Sequence, residues 1–268
     1  MGGAERNARK RRQQQSAGSQ AVAQARGGGG GNRKVIVAVV GVIVLAAAII
    51  GGVVWTNSSK NETEGKSISA APGGAAAPAF PQSREGTVVV SGNPDAKLAV
   101  DVYADFLCPV CAKFEEAYAA PIAEQVKAGT LRVRYHMVPM LMKMSDPPGY
   151  SLDSANAALC AADAGRFQPF HDSLFADQPA EGGRGYDKAQ LIELGKGVGI
   201  TDATFAGCVN NATYDQQLNA DFQKTANDVT LRLPGQEGFG TPAVVAGGVA
   251  VDWRHQDWLD KLVAGTQG

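Results

Sequence analysis

Two of the four cysteines lie three residues apart, in Cys108-Pro109-Val110-Cys111. Thiols at that spacing can close a small disulfide ring and open it again by exchange with another thiol. The pair follows an alternating apolar run, Leu98 to Tyr103, and opens a helical pattern, Ala112 to Lys127. Cys108 would then stand at a helix N-terminus, where unpaired N–H groups and the helix dipole favour a thiolate. Pro109 suits the first helical position, because the N–H it lacks has no partner there. Cys111, one turn in, is expected to be more buried and less reactive. That makes Cys108 the attacking sulfur and Cys111 the resolving one. The motif alone also admits a structural disulfide or half of a zinc site.

The elements that must position this pair can be read around it. Thr87 to Val90 is a short strand candidate and Lys97 to Tyr103 a longer one, with a turn at Gly92-Asn93-Pro94-Asp95 between them. Pro109 to Ala128 is helical, with a stripe at Phe114, Ala117, Tyr118, Ile122 and Val126. Leu131 to Val138 alternates as a strand, and a strand–helix–strand unit implies parallel pairing. A block of helices follows: Ala155–Ala164 capped by Asp153 or Ser154, Phe167–Phe175, Asp187–Val198, Ala203–Val209 capped by Thr201 or Asp202, and Tyr214–Leu231. Ala243–Ala246 and Val249–Val251 form a hairpin around Gly247-Gly248, and His255–Ala264 closes the chain. Without the helical block, about residues 150–233, the order is that of a thioredoxin-like α/β core. The block is then an insertion that could lie over Cys108.

Ahead of this domain the composition changes. Residues 1–34 carry eight Lys/Arg against Glu5, so a net charge of −1 for the whole chain leaves −8 for the remainder. An acidic remainder argues against nucleic-acid binding by the folded part. Residues 1–34 are Gln- and Gly-rich and read as a basic disordered segment. Residues 35–55, Val35 to Trp55, are an uncharged apolar run. At a helical rise of about 1.5 Å per residue, such a run crosses a hydrocarbon core of about 30 Å. It is longer than the apolar region of a cleavable leader and is read as one transmembrane anchor. The basic flank places the N-terminus in the cytoplasm and the rest of the chain outside the cell membrane, in a single pass. Residues 56–85 are polar, then Ala-, Pro- and Gly-rich, and read as a flexible tether before a domain over residues 86–268. Sequons occur at Asn57, Asn61 and Asn211.

Thr241-Pro242 opens the strand Ala243–Ala246, where a proline costs no ladder N–H. At this point the sequence resembles the DsbA-like thiol–disulfide oxidoreductases, in the membrane-anchored form of actinobacteria. The stretches that carry the likeness are GNPDAKLAVDVYADFLCPVCAKFEE, ANAALCAADAGRFQPFHDSLF and GFGTPAVVAGG. The resemblance implies Cys108 as nucleophile, Cys111 as its resolving partner, Pro242 as a cis-proline beside them, and the Thr241 backbone as the strip that pairs with an extended substrate. It implies an oxidising disulfide, exported proteins as substrates, a membrane reoxidant linked to quinone (of the DsbB or vitamin-K-epoxide-reductase type), and no organic or metal cofactor. Many relatives carry an acid where Val102 stands here. Asp101 and Asp105 flank that position, on the opposite strand face if the alternation holds, and either could relay protons to Cys111; two ordinary strand-end carboxylates are the alternative.

Cys160 and Cys208 fall in the helical block. Four cysteines allow three pairings, and the resemblance supports Cys108–Cys111 with Cys160–Cys208; a lone buried cysteine in each helix is the alternative. His136, His171 and His255 show no metal-ligand spacing and are read as structural or surface residues. Phe106, Phe239 and Met137, Met140, Met142 and Met144 could line an apolar groove for unfolded chains. The expected activity is disulfide formation in exported proteins. A reductase or isomerase, or a non-catalytic module that grips exported chains, is the alternative.

Overall fold

A computed structural model describes residues 61–72 and 79–265, all within the unit Ser58–Gly268. The basic head and the anchor proposed for Val35 to Trp55 lie outside the described residues. Among the described residues, no helix is long and apolar enough to cross a membrane.

The centre is a parallel pair of strands, β3 (Leu98–Ala104) and β4 (Leu131–Met137), joined by α1 (Pro109–Lys127). Side chains alternate across a strand. Leu98, Val100, Val102 and Ala104 are accordingly buried on one face with Leu131, Val133, Tyr135 and Met137. The parallel register runs from Leu98 opposite Leu131 to Ala104 opposite Met137. The remaining pairs are antiparallel, which gives a mixed sheet in the order β1-β2-β4-β3-β5-β6. Its other strands are β1 (Gln82–Glu85), β2 (Val88–Ser91), β5 (Ala243–Ala246) and β6 (Val249–Val251). Gly92 has φ +113°, and a Cβ there would meet Leu131 O and Val126 Cγ1, each at 3.0 Å. Only glycine fits where the chain leaves β2 across the end of β4.

The helical block consists of α2 (Tyr150–Asp163), α3 (Phe167–Ala176), α4 (Lys188–Gly197), α5 (Ala203–Asn210) and α6 (Asp215–Asn227). The chain ends on α7 (Trp258–Ala264). The described residues thus form seven α-helices with a mixed sheet, a thioredoxin-like α/β architecture. Small residues on α2 (Ala155, Ala157, Ala158, Ala161) are buried and let its neighbours approach closely.

Several boundaries differ from the sequence reading. Helix α2 begins five residues before Ala155, after Gly149, and neither Asp153 nor Ser154 caps it. Ser154 Oγ instead donates back to Tyr150 O and Ser151 O, and Asp153 pairs with Lys188. Helix α6 stops at Asn227 because Asp228 accepts from Thr230 N–H and starts a separate 3₁₀ turn, Val229–Leu231. On α1 the buried place assigned to Ala117 is taken by Glu115. The tether over residues 56–85 also needs correction. Ile68 is buried in the core, and Thr63 Oγ1 donates to Arg184 O and Gly185 O. Backbone N–H groups of Ser69 and Ala71 donate to Asp177 and Ser173, and Gln82–Glu85 is already strand. Composition missed this because these anchors are mostly backbone groups, which polar residues supply as well as any.

Candidate active site

Cys108 is the N-cap of α1, with extended backbone (φ −76°, ψ 115°), and Pro109 follows at the first helical position. The Cys108 carbonyl accepts from Cys111 N–H at 3.0 Å and Ala112 N–H at 3.2 Å, which starts the helix and fixes the turn between the sulfurs. Both cysteines are free thiols; Cys111 is fully buried and Cys108 is 5% exposed.

The strand on the other side of β3 brings the second half of the site. Antiparallel pairing sets Tyr103 opposite Ala243, so the residues before β5 arrive beside the end of β3. There the Thr241–Pro242 peptide is cis, and Cys108 Sγ lies 3.5 Å from Thr241 O as donor. Trp253 Nε1 donates to Pro242 O at 3.2 Å. A small recess of about 70 Å³ beside them is lined by Leu231, Leu233, Pro242 and Trp253, among others. Val110 is 42% exposed at the same surface.

The electrostatics separate the two sulfurs. A hydrogen bond from the Cys111 thiol does most to lower Cys108, to about 6; burial opposes it, and Thr241 and the N–H groups of Cys111 and Val110 add to the lowering. Cys111 is pushed well up, by burial first and then by its bond to Cys108 and the charge there. One sulfur thus favours the thiolate at neutral pH and the other the protonated thiol.

The two candidate acids part company. Asp101 accepts from His136 Nε2 at 2.7 Å and sits 3.4 Å from Arg134, on the half-exposed face of the sheet. It is committed there, and His136 also stacks on Tyr103 with ring centroids 4.1 Å apart. Asp105 lies beyond the end of β3, so strand alternation does not govern its direction, and it is buried. It accepts from Leu107 N–H (2.8 Å), Leu141 N–H (2.7 Å) and Ser151 Oγ (2.8 Å), while its own carbonyl accepts from Cys108 N–H. Burial raises its carboxyl to about 6; the three donors oppose that, and a charge on Cys108 adds to it.

Other groups at the site escaped the sequence reading. Gln178, between α3 and α4, donates from Nε2 to Phe106 O (3.0 Å) and Cys108 O (3.1 Å). Nothing local in the sequence marks it, since its partners lie about 70 residues away. Glu115 had a signal: it follows Cys111 by four residues and so shares its helix face. Phe106 and Met137 are core rather than groove, and Phe239, Met140 and Met142 are only partly exposed; Met144 is exposed. Cys160 and Cys208 form a disulfide that ties α2 to α5 across 48 residues. Among the described residues, no cluster of His, Cys, Asp or Glu could hold a metal ion.

A family model described as thioredoxin matches residues 84–263. The serine/threonine-protein kinase PknE of Mycobacterium tuberculosis is 29% identical over 184 residues, 65% of this chain and 31% of that protein. The chain therefore spans about a third of the length of the curated relatives of this kind that it matches. Among solved structures, reduced DsbG from M. tuberculosis is 29% identical with a TM-score of 0.55, covering 66% of this chain and 83% of that one. Oxidised DsbA from the same organism is 28% identical with a TM-score of 0.54, covering 70% and 92%.

Proposed function

The chain belongs to the thioredoxin family, and from that premise we propose that it is a thiol–disulfide oxidoreductase that donates its Cys108–Cys111 disulfide to exported proteins. The observation that carries this reading is the contrast between the sulfurs, with Cys108 held at about 6 and Cys111 pushed well up. A thiolate exists only in the reduced form, so its stabilisation favours reduced over oxidised protein and makes the disulfide an oxidant.

In the proposed cycle a substrate thiolate attacks Cys108 Sγ, and the Cys108–Cys111 bond breaks. Cys111 leaves with the electron pair and, being buried, takes a proton; Asp105 is the acid proposed to supply it. A second substrate thiolate then attacks the substrate sulfur of the mixed disulfide. Substrate leaves oxidised by two electrons and Cys108 leaves as its stabilised thiolate. The Thr241 backbone and Pro242 are proposed to hold the extended substrate beside Cys108, and Gln178 to hold the Cys108 carbonyl during attack. A quinone-linked membrane partner is proposed to reoxidise the pair.

Oxidised protein should therefore rapidly refold a reduced, disulfide-containing protein, and its reduced form should reduce insulin only slowly. Its equilibrium with glutathione should place the potential well above the value of about −270 mV typical of thioredoxin. A thioredoxin-like potential with fast insulin reduction would instead assign a reductase.

The domain over residues 86–268 is proposed to stand outside the cell, held by Val35 to Trp55, with residues 1–34 in the cytoplasm. Support for this is the uncharged apolar run with its basic flank. The protein is expected in the membrane fraction after washing with alkali and high salt. Recovery of a form beginning near residue 56 from the culture fluid would reject the anchor.

A further inference from the structure

Glu115 and His171 lie outside the proposed cycle, yet both are ionisable and buried. Glu115 stands on α1 one turn after Cys111, with its side chain 8% exposed, and His171 on α3 is fully buried. His171 Nε2 and Glu115 Oε1 face each other at 3.7 Å, and neither atom has a hydrogen-bond partner. The other imidazole nitrogen, Nδ1, lies 3.0 Å from Asp172 Oδ1. The rest of the ring is enclosed by Phe106, Tyr135, Phe167 and Phe175, at centroid distances of 4.9 to 5.6 Å. The ionisable groups facing the pair are thus Asp172 on its own helix and Tyr135 on β4.

Two charges in such a place need each other. A lone carboxylate or a lone imidazolium without water is costly, and a pair that shares one proton is much less so. The position also matters. Phe106 is two residues before Cys108, and Glu115 shares a helix face with Cys111, so the pair stands one helical turn beyond the buried sulfur. It also spans the join between the thioredoxin core and the helical insertion, and Gln178, just past α3, grips the Phe106 and Cys108 carbonyls from the same side.

We propose that Glu115 and His171 share a proton across this join, and that the pair gains proton when the Cys108–Cys111 disulfide is reduced. Substrate dithiol supplies the two electrons. Cys111 takes one proton and Cys108 keeps a negative charge. That charge, about two helical turns from Glu115, favours protonation of the pair, which draws its proton from solvent. By linkage, protonation of the pair in turn favours the reduced form. The pair is a positioning and electrostatic element and forms no bond with substrate.

The direction of the titrations agrees with this. Burial raises Glu115 to about 7, with His171 opposing and Asp172 adding to the rise. Burial alone would lower His171, but Glu115 and Asp172 outweigh it and carry the imidazole above its ordinary value. Both groups bind protons more tightly folded than unfolded. Their contribution to stability is therefore present below the unfolded values and lost as pH rises through the raised folded ones, about 7 for Glu115.

The inference rests on redox-active Cys108–Cys111, and its test uses the wild-type protein. Histidine ring resonances are followed by NMR through pH in the oxidised and the reduced protein, with His171 assigned through its contacts with the surrounding aromatic rings. The His171 midpoint is expected to be higher in the reduced form by about threefold in proton affinity or more. Glu115→Gln should lower the His171 midpoint in both forms, because the carboxylate that favours imidazolium is gone. A protein that cycles with glutathione but shows one His171 midpoint in both redox forms overturns this proposal and leaves the proposed function intact. So does a midpoint indifferent to Glu115→Gln. Cysteines that cannot be cycled at all overturn both.

Discussion

Cys108→Ala is expected to abolish thiol exchange, by about a thousandfold or more, since no other group can take its place as the attacked sulfur. Cys111→Ala should behave differently. Cys108 can still attack a disulfide already present in an exported protein, which releases one substrate thiolate; with Cys111 gone, no thiol of the protein displaces the bound sulfur, so mixed disulfides accumulate until reductant is added. The same substitution removes the hydrogen bond that does most to hold Cys108 at about 6. The ultraviolet thiolate absorbance of this variant should therefore titrate with a midpoint moved toward the free-cysteine value of about 8.5. Linkage gives the sign for the reduced wild type. Its Cys108 is depressed on folding, so the stability it contributes is present above the unfolded value and lost as pH falls through about 6. A Cys111→Ala midpoint unchanged at about 6 would shift the credit from the neighbouring thiol to the helix end and Thr241.

Cys160→Ser should leave that chemistry in place and weaken the fold. The bridge closes 48 residues of chain between α2 and α5. In the chain-entropy picture a loop of that size contributes about 4 kcal/mol. For a domain of this size each kcal/mol moves the melting temperature by about 2–4 °C, so a fall of roughly 8–16 °C is expected. Calorimetry of the variant and of wild type, both with Cys108–Cys111 oxidised, measures it. Removing a disulfide far from Cys108 in sequence should not change the thiolate midpoint. If the two variants' effects prove coupled, the insertion and the active-site turn form one cooperative unit, as the Gln178 bonds to Phe106 and Cys108 would allow.

Much of the site was legible because its chemistry is local. Cys108, Pro109 and Cys111 occupy fixed offsets at a helix start, and the N-cap geometry follows from those offsets alone. Thr241 and Pro242 were legible as a strand opening, and the antiparallel register of β3 with β5 brings the Thr241 carbonyl to 3.5 Å from Cys108 Sγ. Strand alternation in Leu98–Ala104 and Leu131–Met137 identified the buried face of the parallel pair directly. Asp101 and Asp105 looked equivalent in the sequence, since alternation assigns a side-chain direction only while the strand lasts. Asp105 lies past its end, where three donors from three different segments decide its place.

By itself, then, the sequence determined the periodic elements, the reactive motif and the family resemblance, because each depends on neighbours a few residues apart. The tertiary structure decided which acid lies near the sulfurs, that Gln178 reaches the Cys108 carbonyl, and that residues 61–72 dock on the helical block. It also decided that His171 meets Glu115 in the interior. Such contacts join residues separated by tens of positions. They arise from how the insertion packs against the core, a consequence of total shape and buried area that no local pattern encodes.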